Sequence, residues 1–162
     1  MRHSSVFNDQ GFTILELIVI VIIVGILAAF SAPGYLAWSQ RKKVDSALTS
    51  IEGAMKEAQR QAIAKSITCN VTLDTSPPKV RSTTTSNCLL TGDRTLTSVS
   101  LTASATSVNF DYLGNSSSEI TVVVSPASNP NFKKCLVLST PLGLIRTGKY
   151  SGSGTNSANC TQ

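Results

Sequence analysis

Apolar residues are concentrated in one block near the N-terminus, at residues 12–30. The block contains a single charged residue, Glu16. As a helix it would be about 28 Å long at 1.5 Å per residue, close to the thickness of the hydrocarbon core of a bilayer. Packing inside a soluble protein rarely needs such a long unbroken apolar stretch. The pattern therefore predicts a membrane-spanning helix over residues 12–33.

A different periodicity follows this block. Over residues 34–66, apolar side chains recur at steps of three and four, which places them on one face of a helix. The apolar stripe consists of Val44, Leu48, Ile51, Met55, Ala58 and Ala62. The opposite face carries Lys43, Glu52, Lys56, Gln59 and Arg60. We expect an amphipathic helix over residues 34–66 that docks its stripe on the rest of the chain.

Pro33 and Gly34 separate the two helical patterns. Proline lacks a backbone N–H and its ring clashes with the preceding turn, so a kink or a locally unwound segment is expected there. The alternative is that the first helix simply ends at this position. Because the amphipathic pattern resumes directly afterwards, we favour one long helix with a membrane half and an amphipathic half.

After Ser66 the pattern changes to short stretches rich in Val, Ile, Leu and Thr, separated by Pro and Gly. Such stretches predict antiparallel strands. The predicted strands are residues 67–73, 79–84, 98–103, 107–112, 119–125, 134–139 and 143–147. The fold class is therefore predicted as α+β, with the long N-terminal helix packed on an antiparallel, sandwich-like β head over residues 67–162. The polar segment 151–162 is expected to be a flexible tail unless Cys160 holds it.

The cysteines indicate an oxidising compartment. All four lie in the predicted head: Cys69, Cys88, Cys135 and Cys160. Their spacing matches no zinc site, and an even number in a polar, exported segment indicates disulfides. Of the three possible pairings, Cys69–Cys88 with Cys135–Cys160 is the simplest, because each bond then closes a modest loop. A small head with few aromatic residues would benefit from such cross-links.

Three interpretations of the N-terminus compete. A secretory signal cleaved after Ser31 would have an unusually long apolar region containing an acid. A plain membrane anchor would leave that acid unexplained. The third interpretation rests on the stretch GFTILE at residues 11–16, which resembles the prepilin cleavage motif of type IV pilins and type II secretion pseudopilins. The position of Pro33 also resembles that family.

This resemblance implies a set of processing events and partners. Residues 1–11 would be a leader removed by a prepilin peptidase and methyltransferase, which cuts between Gly11 and Phe12 and methylates the new amine of Phe12. Further implied partners are other pilins or pseudopilins, an inner-membrane assembly platform, and membrane lipid before assembly. The leader has one Arg and no Lys, which is sparse for the family.

Glu16 has a physical role in this interpretation. A carboxylate costs on the order of 3 kcal/mol in the bilayer centre, so it needs a partner or an interfacial position. The amine created at Phe12 of a neighbouring subunit can supply that partner and set the axial register of assembly. Alternatively, Thr13 and Glu16 form a capping box that only begins the helix. Both roles can apply at different stages.

Charge flanks the apolar block on both sides, with Arg2 before it and residues 41–43 after it, so charge alone leaves the orientation open. The cysteines favour export of the head. We expect a single-pass protein of the bacterial inner membrane with an exported C-terminal head, which later enters a periplasmic or cell-surface filament.

The predicted head has a second resemblance. FDYLG at 110–114, residues 120–124 and 135–139, and LGLIRTG at 142–148 resemble the GspH/FimT subgroup of minor pilins and pseudopilins. Some members of that subgroup bind DNA through a Gly-Arg-x-Arg motif. Here only Arg146, followed by Lys149, stands in that position, so a weak DNA contact competes with two solvated strand-end charges.

No catalytic arrangement is evident in the sequence. The only histidine, His3, lies in the predicted leader, and the acids are dispersed without metal-loop spacing. We expect no enzyme activity, no metal and no cofactor. The predicted function is a structural, pilin-like subunit that supports filament assembly, protein secretion or DNA uptake, and the alternative is a DNA-binding minor pilin.

Overall fold

The computed structural model describes residues 11–83 and 87–162, and it describes only the backbone of residues 31–33. A single α-helix, α1, extends over Ile14–Lys65. The chain divides into two compact units, Met1–Trp38 and Ser39–Gln162, and α1 contributes to both. The helical assignment runs through Pro33 and Gly34, and the kink expected there stays a prediction.

The described residues of the second unit form two antiparallel sheets. Their strands are β1 (Cys69–Thr75), β2 (Pro78–Ser82), β3 (Arg94–Thr95), β4 (Val99–Ala103), β5 (Ser107–Phe110), β6 (Ile120–Pro126), β7 (Lys134–Ser139), β8 (Leu144–Tyr150) and β9 (Cys160–Thr161). One sheet has the order β3-β2-β1-β5, and the other has the order β4-β6-β7-β8-β9. The predicted α+β class, with a long helix and antiparallel sheets, is confirmed.

Of the nine strands in the described parts of the chain, seven correspond to predicted strands, with ends displaced by up to three residues. The strands β3 and β9 were not predicted, because a two-residue strand has too little periodicity to be recognised. Residue 84, predicted at the end of the second strand, lies outside the described residues. β5 stops at Phe110 instead of the predicted residue 112, because the side chain of Asp111 accepts hydrogen bonds from the next loop.

The apolar stripe of α1 forms one wall of the main core. All six predicted stripe residues are buried, and Ile51 and Met55 have no exposed surface. They belong to the same cluster as Val71 and Phe110 of the first sheet and Val122 and Leu136 of the second. A smaller cluster, which includes Val123 and Val137, lies beside this core. Strand β6 therefore contributes to two apolar clusters, which explains its run of consecutive valines.

Gln59, which the helical pattern assigned to the polar face, ties two loops to α1. Its Nε2 donates to the carbonyl of Gly114 at 2.7 Å and to the carbonyl of Leu142 at 3.2 Å. Gly114 and Gly143, the residue after Leu142, both have positive φ, at 85° and 63°. A Cβ added to Gly114 would lie 2.7 Å from Ile63 Cδ1, so glycine is needed for both conformation and close approach.

Asp111 organises the loop that Gln59 holds. Its Oδ1 accepts the backbone N–H of Leu113 at 2.9 Å and that of Asn115 at 2.8 Å. The hydrogen bond from the backbone of Asn115 is the main cause that lowers the pKa of this carboxyl below its ordinary value. The charged form of Asp111 therefore favours the closed loop at neutral pH.

Replacing Gln59 by alanine should destabilise the second unit, because two loop carbonyls lose their donor. We expect a loss of about 1–2 kcal/mol in the free energy of unfolding. Urea unfolding of the detergent-solubilised chain, followed by circular dichroism, measures it. Gln61→Ala is the matched control, since it changes the same residue type on the same helix and should cost less than about 0.5 kcal/mol. Equal losses in the two variants would contradict the role assigned to Gln59.

Candidate functional site

The first turn of α1 is capped by Thr13. The hydroxyl of Thr13 accepts the backbone N–H of Glu16 at 3.3 Å, and its carbonyl accepts the N–H of Leu17 at 3.2 Å. A carboxylate in the first turn is also favourably placed toward the positive end of the helix dipole. The local capping role therefore has a geometric basis, although it uses the backbone of Glu16 and leaves its exposed carboxylate available for a second partner.

The apolar side chains after this cap are all exposed. Among the large ones in residues 12–30, the exposed fraction ranges from 47% at Ile20 to 82% at Ile14 and Phe30. Soluble monomers rarely expose a contiguous apolar surface of this extent, which typically marks a membrane or protein contact. This exposed row, residues 12–30, is the candidate assembly surface.

The peptide bond between Gly11 and Phe12 lies next to this surface. Gly11 is exposed, and a Cβ built on it would have no neighbouring atom within 4 Å. The expected cleavage site is therefore accessible to another protein. The rest of the predicted leader, residues 1–10 including His3, lies outside the described residues.

Two aromatic residues follow the apolar row. Tyr35 and Trp38 are exposed, and their ring centroids are 5.9 Å apart. Such residues are enriched where a helix leaves a bilayer. Within the described residues, no single helix has both the length and the apolar content to cross a membrane, but the segments Ile14–Phe30 and Gly34–Lys65 meet that criterion when they are taken together. That criterion concerns length and composition only.

The four cysteines form two disulfides. Cys69 is bonded to Cys88 and Cys135 to Cys160, which is the simplest of the three pairings that the sequence left open. The second bond lies between β7 and the short strand β9 at the end of the tail. The segment after Tyr150 is therefore held to the second sheet.

Arg146 holds the same tail. Its Nη1 donates to the carbonyl of Cys160 at 2.9 Å and its Nη2 to the carbonyl of Ser157 at 2.8 Å. The expectation that Arg146 is a solvated strand-end charge is wrong, because the tail folds back over its half-buried guanidinium. Lys149 is exposed. A DNA contact through Arg146 and Lys149 stays a prediction, and a nucleic acid would have to compete with the two tail carbonyls for Arg146.

One polar network was not predicted from the sequence. Arg94 forms an ion pair with Glu57 of α1 and donates to the carbonyl of Ser50 at 2.9 Å. Glu57 also accepts the backbone N–H of Leu90 at 2.6 Å. Gly53 leaves room for the guanidinium, since an added Cβ would lie 2.9 Å from Arg94 Nη1. The network ties the segment before β3 to the helix.

In the described part of the chain, no group of three or more His, Cys, Asp or Glu side chains is arranged to hold a metal ion. The features that stand out are the capped, exposed apolar row and the cross-linked head.

Comparison with known proteins finds relatives of the N-terminal segment and of the fold. Residues 7–32 match the family described as the prokaryotic N-terminal methylation motif. A fimbrial protein of Pseudomonas aeruginosa is 40% identical over 55 residues, which are 34% of this chain and 35% of that protein. This chain thus matches only about a third of the length of that curated relative.

Two solved structures share the fold. The minor pseudopilin EpsH from the type 2 secretion system of Vibrio cholerae superposes with a TM-score of 0.56 at 14% identity, covering 66% of this chain and 97% of that one. The type IV minor pilin FimU of Pseudomonas aeruginosa superposes with a TM-score of 0.54 at 10% identity, covering 74% and 97%. The N-terminal segment therefore carries the methylation motif, and the chain shares the fold of these minor pilins and pseudopilins. In this pilin-like chain, the methylation motif coincides with the capped start of the exposed apolar row.

Removing the bond between Cys135 and Cys160 should release the tail. The double variant Cys135→Ala/Cys160→Ala opens a loop with a sequence separation of 25 and should lose about 3 kcal/mol in the free energy of unfolding. Trypsin should then cut after Lys149 faster than in the wild type, as measured by mass spectrometry. Cys69→Ala/Cys88→Ala is the control, because it removes the other bond and leaves the tail attached. Unchanged cleavage in the first variant would mean that Arg146 alone holds the tail.

Proposed function

We propose that this chain is a structural subunit that is cut between Gly11 and Phe12, methylated on Phe12, and assembled into a type IV pilus or a type II secretion pseudopilus. The observation that carries the proposal is the exposed apolar row at 12–30, which follows directly on the accessible Gly11 and contains a single acid. Before assembly this row lies in the inner membrane, and afterwards it packs against the same row of other subunits. The partners are therefore a prepilin peptidase, the assembly platform and other pilin-like subunits.

Glu16 sets the register of assembly in this proposal. Its carboxylate is exposed and carries the one charge of the apolar row, while Thr13 caps the same turn through the backbone. Cleavage creates an ammonium group at Phe12, and an opposite charge within an apolar medium is the partner that relieves the cost of a buried carboxylate. The pair forms between neighbouring subunits. Only one axial offset between them brings the two charges into contact, so the pair fixes the register.

The head supports a minor subunit of the GspH/FimT kind. Its fold resembles that of a minor pseudopilin and that of a minor pilin at similar TM-scores, so the pilus and the pseudopilus are equally supported. The two systems differ in a measurable output. Deleting the gene should abolish secretion of folded proteins in the pseudopilus case, and surface filaments or their retraction-driven motility in the pilus case.

A DNA receptor is not favoured, because the guanidinium of Arg146 already donates to the carbonyls of Ser157 and Cys160. Electrostatic binding to DNA weakens steeply with salt, so a gel-shift titration at several salt concentrations separates the two functions.

Mass spectrometry of the intact protein tests processing. Material isolated from membranes should begin at Phe12 with one added methyl group. The variant Gly11→Val should keep the leader, because a branched side chain is introduced at the cut while the head is untouched. Host cells lacking the prepilin peptidase are the control and should yield the same unprocessed mass. Filaments built from unprocessed protein would contradict the proposal.

Replacing Glu16 by glutamine tests the register. The variant Glu16→Gln should insert in the membrane normally but enter filaments at less than about a tenth of the wild-type level, since an ion pair in an apolar medium is lost. Immunoblots of membrane and sheared filament fractions measure both. Glu52→Gln is the matched control, because it makes the same change in an exposed pair with Lys56 and should assemble normally.

The variant Thr13→Ala distinguishes the two roles of the first turn. If Glu16 acted only in local capping, Thr13→Ala would impair assembly as much as Glu16→Gln does. We expect Thr13→Ala to assemble close to normally.

A further inference from the structure

Cationic side chains gather on the part of the second unit where its helix begins. Arg41 and Asp45 lie one turn apart on the same face of α1. Lys134 Nζ is 2.5 Å from Asp45 Oδ1. Lys149 of β8 is the direct cross-strand partner of Lys134, and cross-strand partners project to the same side of a sheet. We call Arg41, Lys134 and Lys149 the basic face.

The basic face carries more positive charge than Asp45 can neutralise. Lys149 is exposed, and it stands opposite Lys134, an arrangement of like charges that disfavours the sheet. Arg41 rests over the ring of Phe132, 5.6 Å from its centroid, which positions the guanidinium without neutralising it. The surface therefore attracts an anionic partner.

We propose that the basic face docks on the phosphate headgroups of an anionic bilayer while the subunit is still in the membrane; this rests on the proposed function. Arg41 is eleven positions after Phe30, about 16 Å along a helix. The headgroup layer extends roughly 5–7 Å beyond the hydrocarbon core, and screening at physiological salt acts over about 8 Å. The start of the basic face, at Arg41, is therefore within the length of a side chain of the layer in which the headgroup charge acts.

The covalent tether is also the reason to favour lipid over nucleic acid. A bilayer that holds residues 12–30 is linked to the basic face through the same chain, whereas a nucleic acid must be captured from solution. Each cation near an anionic surface strengthens docking about fivefold. Docking would hold the head against the membrane before assembly, and it would be lost when the subunit leaves the bilayer.

Hydrogen–deuterium exchange of the full chain in lipid nanodiscs tests the proposal. Exchange in peptides covering residues 39–48 and 132–150 should be slower in discs containing phosphatidylglycerol than in discs of phosphatidylcholine alone, and the difference should vanish at high salt. The variant Arg41→Gln/Lys149→Gln should reduce the ratio of docked to undocked heads about thirtyfold. Lys56→Gln/Arg60→Gln removes the same charge from later turns of α1 and should retain the slow exchange.

Equal exchange in the two kinds of disc, or an equal effect of the two variants, overturns the inference. Slow exchange produced in phosphatidylcholine discs by inorganic phosphate at constant ionic strength would assign the face to a free anion instead. The same effect from a duplex oligonucleotide would assign it to nucleic acid. If alkaline carbonate extracts the wild-type chain from both lipids, the proposed membrane insertion fails as well. If the chain stays in the membrane but exchanges at the same rate in both lipids, only the docking is overturned.

Discussion

The head depends on the burial of a single stripe of α1. Val44, Ile51, Met55 and Ala58 have no exposed surface and share one core with residues from both sheets. Alanine at several stripe positions lets the strands approach the helix closely, while the larger stripe residues fill the remaining volume. One face of the helix packs against apolar residues of both sheets, so the opposite face can stay polar. The head thereby forms a small core with few aromatic residues.

The same helix also belongs to a second environment. Residues 12–30 are apolar on every side and exposed, a surface typical of a membrane or protein contact. Under the proposed function, the first half of the helix exchanges lipid for protein while the stripe of the second half stays buried. The basic face lies in the second unit, so its contacts with lipid would be broken in that exchange without disturbing the core.

The edges of the head are secured by bonds that are independent of the stripe. The two disulfides hold the segments that end at Cys88 and Cys160. Gln59 and the pair of Arg94 and Glu57 attach three further loops to α1. A small domain gains much of its stability from such ties, because its apolar core alone offsets little more than the entropy of ordering the chain.

Periodicity along the sequence determined the long helix, the buried stripe and seven strands, because each depends on contacts that repeat at a regular spacing. The start of α1 at the methylation motif was equally local, since Thr13 and Glu16 are within one turn. Only the tertiary structure decided the roles of Gln59, Arg94 and Arg146, because their partners lie far away in the chain and no spacing rule relates them. The short strands β3 and β9 exist for the same reason, since each is held by a neighbouring strand and not by any pattern of its own.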